Sequence, residues 1–244
     1  MWAFASDYDG TLYHWDRRAI LEEDLSAIAA FQRNGHQFGI CTGRSCQGVL
    51  LTTPPELQFD FYILVNGAIL MDRSRTVRYV EQIARGSAKE IYERFAAKFP
   101  AIVLAGDTVY NFGKEYPLQV CVERWDEIPD PVCGVSCYTG SPERARQIAG
   151  DINAEFGSEA HAYANVSNVD VCPIHASKGK AALLAKEMLG AASIGGIGDS
   201  YNDIPLLEHV DRAYTFHRSP EAVQQAADCL VDSVGEALHD IVTV

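Results

Sequence analysis

Three short apolar runs, each cut off by a polar or acidic loop, constrain this chain more than any other feature. Trp2-Ala3-Phe4-Ala5-Ser6 ends in Asp7-Tyr8-Asp9-Gly10, Phe38–Cys41 ends in Thr42-Gly43-Arg44, and Ile194–Ile197 ends in Gly198-Asp199. Runs this short that stop at Gly, Asp or Thr read as buried strands entering turns. Between the first two, Leu21, Leu25, Ile28, Ala29 and Phe31 fall at helical spacing, and Asn34-Gly35 supplies a C-terminal stop. A further strand-like run, Phe61–Val65, is broken by Asn66-Gly67. Strand, helix and strand joined by short connections predict an α/β fold, a Rossmann-like parallel sheet covered by helices.

The rhythm changes near Ile83. Ser87 to Phe99 has helical spacing, and strand-like runs follow at Ile102–Leu104, Val109–Phe112, Leu118–Val122 and Val132–Tyr138. Ser141-Pro142-Glu143 opens a second helix with Ser141 as N-cap and Pro142 at the first helical position. Strand-like sequence near Val169–Cys172 closes the block. The opening rhythm then returns: Ser177 caps a helix through Leu189, the Ile194–Ile197 strand follows, and a helix near Ile204–His209 and a strand near Ala213–Phe216 finish the sheet. The expected layout is a discontinuous core over residues 1–82 and 173–244, interrupted by an inserted α+β cap domain over 83–172.

A chain of 244 residues that is 48% hydrophobic can bury a core of this size. No apolar run approaches the roughly 20 residues that span a bilayer. Asp7 and Asp9 interrupt the first apolar stretch, so no signal peptide is expected, and the protein is read as cytoplasmic. A formal net charge of −13 argues against nucleic-acid partners, and an anionic ligand needs a local positive site instead. The seven cysteines form no Cys-x-x-Cys pair and are read as free thiols of a reducing compartment.

The loops after the predicted core strands converge, because open parallel sheets bind ligands at the carboxyl ends of their strands. They bring together Asp7, Asp9 and Thr42 with Asp199, Asn202 and Asp203, and Lys178 lies at the start of a helix. Asp7, Asp9 and Asp199 offer the hard oxygen ligands that Mg²⁺ favours. A carboxylate can attack phosphorus, and a second carboxyl two residues on can protonate the leaving oxygen and then deprotonate water. The Lys178 ammonium and the Thr42 hydroxyl would neutralise the charge of the transferred group. An EF-hand is excluded by spacing from Asp7, since Thr11, Leu12 and Arg18 occupy positions that need other residues. A dinucleotide fingerprint at Gly196-Ile197-Gly198 fails because Tyr201 stands where its third Gly belongs.

Together these segments resemble the haloacid dehalogenase superfamily, and within it the Cof-like phosphatases with the larger C2-type cap. Asp7-Tyr8-Asp9-Gly10-Thr11, Thr42-Gly43-Arg44, Ser177-Lys178-Gly179 and Gly198-Asp199-Ser200-Tyr201-Asn202-Asp203 match its four motifs in order, and Asn66-Gly67-Ala68 matches a further landmark. The resemblance implies Asp7 as nucleophile, Asp9 as general acid/base and Lys178 as phosphate clamp. It implies Mg²⁺ on Asp7, the Asp9 backbone carbonyl and Asp199, with Asp203 supporting the metal shell. Thr42, Gly43, Arg44 and Asn202 are expected to bind phosphate or substrate, with bracing of the cap as the alternative for Arg44.

Two departures stand out. Tyr8 replaces the usual aliphatic residue, and His217-Arg218 replace a smaller stretch near the phosphate. The implied activity is Mg²⁺-dependent hydrolysis of a small soluble phosphate ester such as a sugar phosphate. A phosphomannomutase-like phosphomutase and a catalytically silent phospho-ligand binder are the alternatives. The cap is expected to select substrate through loop residues such as Asn111, Lys114, Tyr116 and Arg124. The sequence assigns no role to His14, Trp15 or His175 and no oligomeric state.

Overall fold

Residues 1–243 are described by a computed structural model, in which the first strand, β1 (Trp2–Ser6), runs through the middle of a sheet. The chain then builds outward on one side of it. Helix α1 (Glu22–Arg33) leads to β2 (Gln37–Cys41), and β3 (Phe61–Leu64), β4 (Ile69–Asp72) and β5 (Val77–Val80) follow.

The insert comprises α2 (Arg85–Ile91), β6 (Ala101–Ala105), β7 (Thr108–Phe112), β8 (Gln119–Val122), β9 (Val132–Tyr138), α3 (Pro142–Phe156), β10 (Ala160–Asn165) and β11 (Asn168–Pro173). The core resumes with α4 (Lys178–Leu189), β12 (Ser193–Ile197), β13 (Arg212–Phe216), β14 (Cys229–Val231) and α5 (Val234–Ile241). Two compact units result, residues 1–78 with 177–244, and residues 79–176. The division therefore falls at 78/79 and 176/177, where the sequence reading had placed it at 82/83 and 172/173.

The core sheet has the order β14-β13-β12-β1-β2-β3-β4-β5. Neighbours from β14 to β3 pair in parallel, whereas β4 runs antiparallel to β3. Burial dictates the composition: Ala3, Phe4, Phe38, Ile40, Ile63 and Ile194 have no exposure, as expected for strands covered on both faces. Phe4 stacks on Phe38 with centroids 6.0 Å apart, and meets Phe31 of α1 edge-on at 6.3 Å. The core holds elements that the sequence reading did not name. β14 and α5 follow β13, and β4 and β5 lie beyond β3.

The insert has its own sheet, β8-β7-β6-β9-β11-β10, antiparallel except between β8 and β7. Ile91 of α2 and Ile148, Ile152 and Phe156 of α3 pack with Val103, Val135 and Val171 from the strands. The helix expected over 87–99 starts at Arg85, and after Ile91 widens into a π turn, Tyr92–Ala96. That turn accompanies the packing of Tyr92 against Phe112 and Trp125 and of Phe95 against Phe156. Asn111, expected in a loop, lies in β7 with 3% exposure and donates to Gln119 Oε1, so it is part of the strand pairing. Lys114, Tyr116 and Arg124 are exposed. No helix among the described residues is long and apolar enough to cross a membrane.

Candidate active site

Strand order fixes where a ligand can sit. From β1 the chain proceeds to β2 and β3 on one side, then returns to place β12 and β13 on the other, so the order reverses at β1. The loops leaving β1 and its neighbours diverge there and open a crevice at the carboxyl edge. Asp7 follows the last residue of β1, Thr42 the last of β2, and Gly198-Asp199 the last of β12. Backbone bonds continue the ladders into these loops, Asp7 N donating to Ile197 O at 2.9 Å and Thr42 N to Ile63 O at 2.8 Å.

Lys178 reaches the same point from the first residue of α4. Ser177 caps that helix, its Oγ accepting from Lys180 N at 3.0 Å. A lysine at a helix start opposes the helix dipole, and two carboxylates account for its place here. Its Nζ donates to Asp7 Oδ1 and to Asp203 Oδ1, both at 2.6 Å, and the lysine is 1% exposed. Burial alone would push the Lys178 ammonium down, but Asp203 and Asp7 overturn that and hold it well above its usual range. Burial raises the Asp7 carboxyl well above the usual range, and the Asp203 and Asp199 carboxylates add to it against Lys178. Burial, followed by the Asp203 charge, pushes Asp199 up to about 6.

Three carboxylates thus gather about one ammonium, which bonds two of them. Oxygens of Asp7, Asp199 and Asp203 all lie within 4.8 Å of one another, a donor set that suits a hard divalent cation of the Mg²⁺ kind. Asp203 is already engaged. Besides Lys178, its Oδ2 accepts from Asp199 N and Ser200 N, both at 3.0 Å, so it orients the Asp199 loop. Gly10 has φ of +84°, and a Cβ there would lie 2.6 Å from Asp199 Oδ2. Glycine is what lets the Asp7 and Asp199 loops approach.

The remaining expected residues fall around this centre. Thr42 is 1% exposed and its Oγ1 accepts from Arg44 N at 3.2 Å, which leaves the hydroxyl proton to donate. Asn202 accepts from Ser200 Oγ and donates to Asn66 Oδ1 at 3.3 Å. Asp9 and Arg44 are joined to each other: Arg44 Nε donates to Asp9 Oδ2 at 2.7 Å and Nη2 to Oδ1 at 2.6 Å.

Other residues enter that the sequence named without a role or passed over. Thr11 Oγ1 donates to Asp199 Oδ1 at 3.2 Å. Val65, Asn66 and Gly67 all have positive φ, which for the β-branched Val65 is a strained conformation. This bend brings Asn66 N to Thr42 O at 3.0 Å, and a Cβ on Gly67 would lie 2.2 Å from Ser177 O. The bend therefore ties the Thr42 loop, Asn202 and the start of α4 together. Its sequence signal was the Asn66-Gly67 break after β3. Arg218 Nη2 donates to Gly10 O at 2.8 Å, while His217 is exposed.

Residues 4–237 match the haloacid dehalogenase-like hydrolases. The chain belongs to this family. That membership agrees with the four motifs and with the Cof-like resemblance. A protein of Bacillus subtilis (strain 168) with the provisional name of phosphatase YxeH is 25% identical, the match covering 98% of this chain and 97% of the relative. Among solved structures, a provisionally assigned HAD/COF-like hydrolase from Plasmodium vivax superposes with a TM-score of 0.87 at 17% identity, covering 99% of this chain and 95% of that one. A subclass IIB sugar phosphatase superposes with a TM-score of 0.78 at 20% identity over 100% of both chains. At these identities the structural likeness shows the fold of the dehalogenase-like hydrolases, and its chemistry rests on the residues above.

Proposed function

We propose that this dehalogenase-like hydrolase is a Mg²⁺-dependent phosphomonoester hydrolase that works through a phospho-aspartate at Asp7. The observation that carries the reading is the buried cluster at the switch point, where Lys178 orients Asp7 while Asp7, Asp199 and Asp203 leave an excess of negative charge. A bound Mg²⁺ would neutralise that charge and polarise the phosphoryl oxygens, with Asp7, Asp199 and the Asp9 backbone carbonyl as ligands.

Asp7 attacks phosphorus through a carboxylate oxygen, forming the acyl phosphate as the bond to the leaving oxygen breaks. Lys178 holds Asp7 by the other oxygen, which fixes the direction of attack. Asp9 gives its proton to the departing alkoxide. It then takes one from water, which attacks phosphorus and releases phosphate and free Asp7. Thr42 and Asn202 bind the phosphoryl oxygens. The substrate class is a small soluble phosphate ester, and the sugar phosphatase with the same fold supports a sugar phosphate. The cysteines are free and five of the seven are buried, which supports a reducing, cytoplasmic location.

The test is phosphate release from p-nitrophenyl phosphate and from a panel of sugar phosphates with Mg²⁺. Release that EDTA abolishes and that Asp7→Asn lacks is the expected result. Full activity after exhaustive chelation, or turnover by Asp7→Asn, contradicts the mechanism.

A further inference from the structure

Arg44 was expected beside substrate, but four of its five N–H donors are committed elsewhere. Besides the two bonds to Asp9, Nη1 donates to Gly48 O at 2.8 Å and to Thr52 Oγ1 at 3.0 Å. The guanidinium lies over three rings, 4.9 Å from the centroid of Tyr8, 5.6 Å from Tyr13 and 5.0 Å from Trp15. Thr52 Oγ1 also bonds the Tyr8 hydroxyl at 2.9 Å, and that hydroxyl reaches Thr53 Oγ1 at 3.0 Å. Tyr8 has no exposure. The residue between the two motif aspartates thus anchors the arginine that grips the second of them. An aliphatic residue, usual at this place, makes none of these hydroxyl bonds.

We propose that Arg44, anchored by Tyr8 and Thr52, is a positioning residue that fixes the carboxyl of Asp9, and is not a contact for the substrate phosphate. A single hydrogen bond lets a carboxyl pivot, whereas two parallel bonds from a planar fork set its plane. Each carboxylate oxygen has a second lone pair, and the Asp9 side chain is 34% exposed. A leaving oxygen or a water can therefore reach Asp9 while the fork holds it. The effect of Arg44 must then pass through the proton-transfer step. Esters with poor leaving groups depend on that step most.

This inference rests on the phosphatase reading, and the experiment separates the two. Steady-state kinetics of wild type, Arg44→Lys, Arg44→Met and Tyr8→Phe are measured on an aryl phosphate and an alkyl phosphate, with inorganic phosphate as inhibitor. Thermal melts check folding. Both Arg44 variants should lose about 10-fold or more in kcat on the alkyl ester and much less on the aryl ester. KM and inhibition by phosphate should stay within about 2-fold. Lysine should not rescue, since it keeps the charge and lacks the fork. Tyr8→Phe should show the same pattern with a smaller loss, and it carries the test with Arg44→Lys if Arg44→Met does not fold. Raised KM with weakened phosphate inhibition would make Arg44 a substrate contact, and an equal loss on both esters would make it merely structural. Either result overturns the inference alone. Absence of phosphate release by the wild type overturns the phosphatase reading and the inference with it.

Discussion

Lys178 donates to two carboxylates from a position solvent barely reaches, and removing it would leave both buried without a cation. Lys178→Met should therefore cost about 3–5 kcal/mol of folding stability, the scale for breaking a buried ion pair from one side. Urea unfolding measures this, and Mg²⁺ should restore part of the loss by taking over the neutralisation. Unchanged stability would mean the carboxylates are not held as ions by Lys178. Gly10→Ala is the complementary test of the Asp199 side. The methyl group would meet Asp199 Oδ2 on a backbone with φ of +84°. A loss of about 1 kcal/mol or more is expected, together with a smaller rise in Tm on adding Mg²⁺ than the wild type shows.

Among the elements, α5 is held by a buried carboxylate. Asp24 of α1 is 1% exposed, and its Oδ1 accepts from Gly235 N at 2.7 Å. Its Oδ2 is buried without a partner. Burial pushes this carboxyl from 3.8 up to about 6, against the Gly235 and Val234 amides and the more distant Arg218, with Glu23 adding to the rise. A folded-state value above the unfolded one favours the protonated form on folding. Its contribution is complete below about pH 4 and is lost as pH rises through about 6. Asp24→Asn removes this dependence. Wild-type stability relative to the variant should fall by up to about 3 kcal/mol between pH 4 and 7, and a flat difference would refute it.

The same region shows which elements were legible in the sequence. β1, β2 and α4 announce themselves by apolar runs, spacing and the Ser177 cap, all local signals. α5 carries one too, the Ser-x-x-Glu pattern of Ser233 and Glu236: Ser233 Oγ accepts from Glu236 N, and the Glu236 carboxylate accepts from Asp232 N. β10 had almost none. Its Ala-His-Ala-Tyr-Ala-Asn sequence has weak strand preference, and pairing with β11 decides it.

At the scale of the molecule, the core is assembled from two distant segments, whereas the insert is continuous. β1 pairs with β2 from the first segment and with β12 from the second, so neither half can complete the sheet alone. Residues 79–176 enclose a core of their own and should fold in isolation, with cooperative thermal unfolding. Mg²⁺ should raise the Tm of the full chain and leave that fragment unchanged, because the acidic cluster lies wholly in the core. A shift in the isolated fragment would place a metal elsewhere.

In the candidate site, Asp7, Thr42 and Asp199 were legible because each lies just past a strand end, and Lys178 because Ser177 caps the helix it starts, placements that a linear pattern records. The Arg44–Asp9 fork was not. Motif order puts both residues near the crevice but does not say which groups the arginine faces. The positive-φ bend at Asn66-Gly67 was visible only as a turn, since its approach to Ser177 is tertiary.

If Asp7 is the nucleophile, it becomes phosphorylated during turnover. Mass spectrometry of the Asp7 peptide after rapid acid quench of enzyme, Mg²⁺ and a turned-over phosphate ester tests it most directly. The expected result is the mass of one phosphoryl group on Asp7, accumulating when Asp9→Asn slows the attack of water, and absent from Asp7→Asn. Steady turnover with no phosphoryl group on Asp7 at any quench time, in wild type or Asp9→Asn, would contradict it.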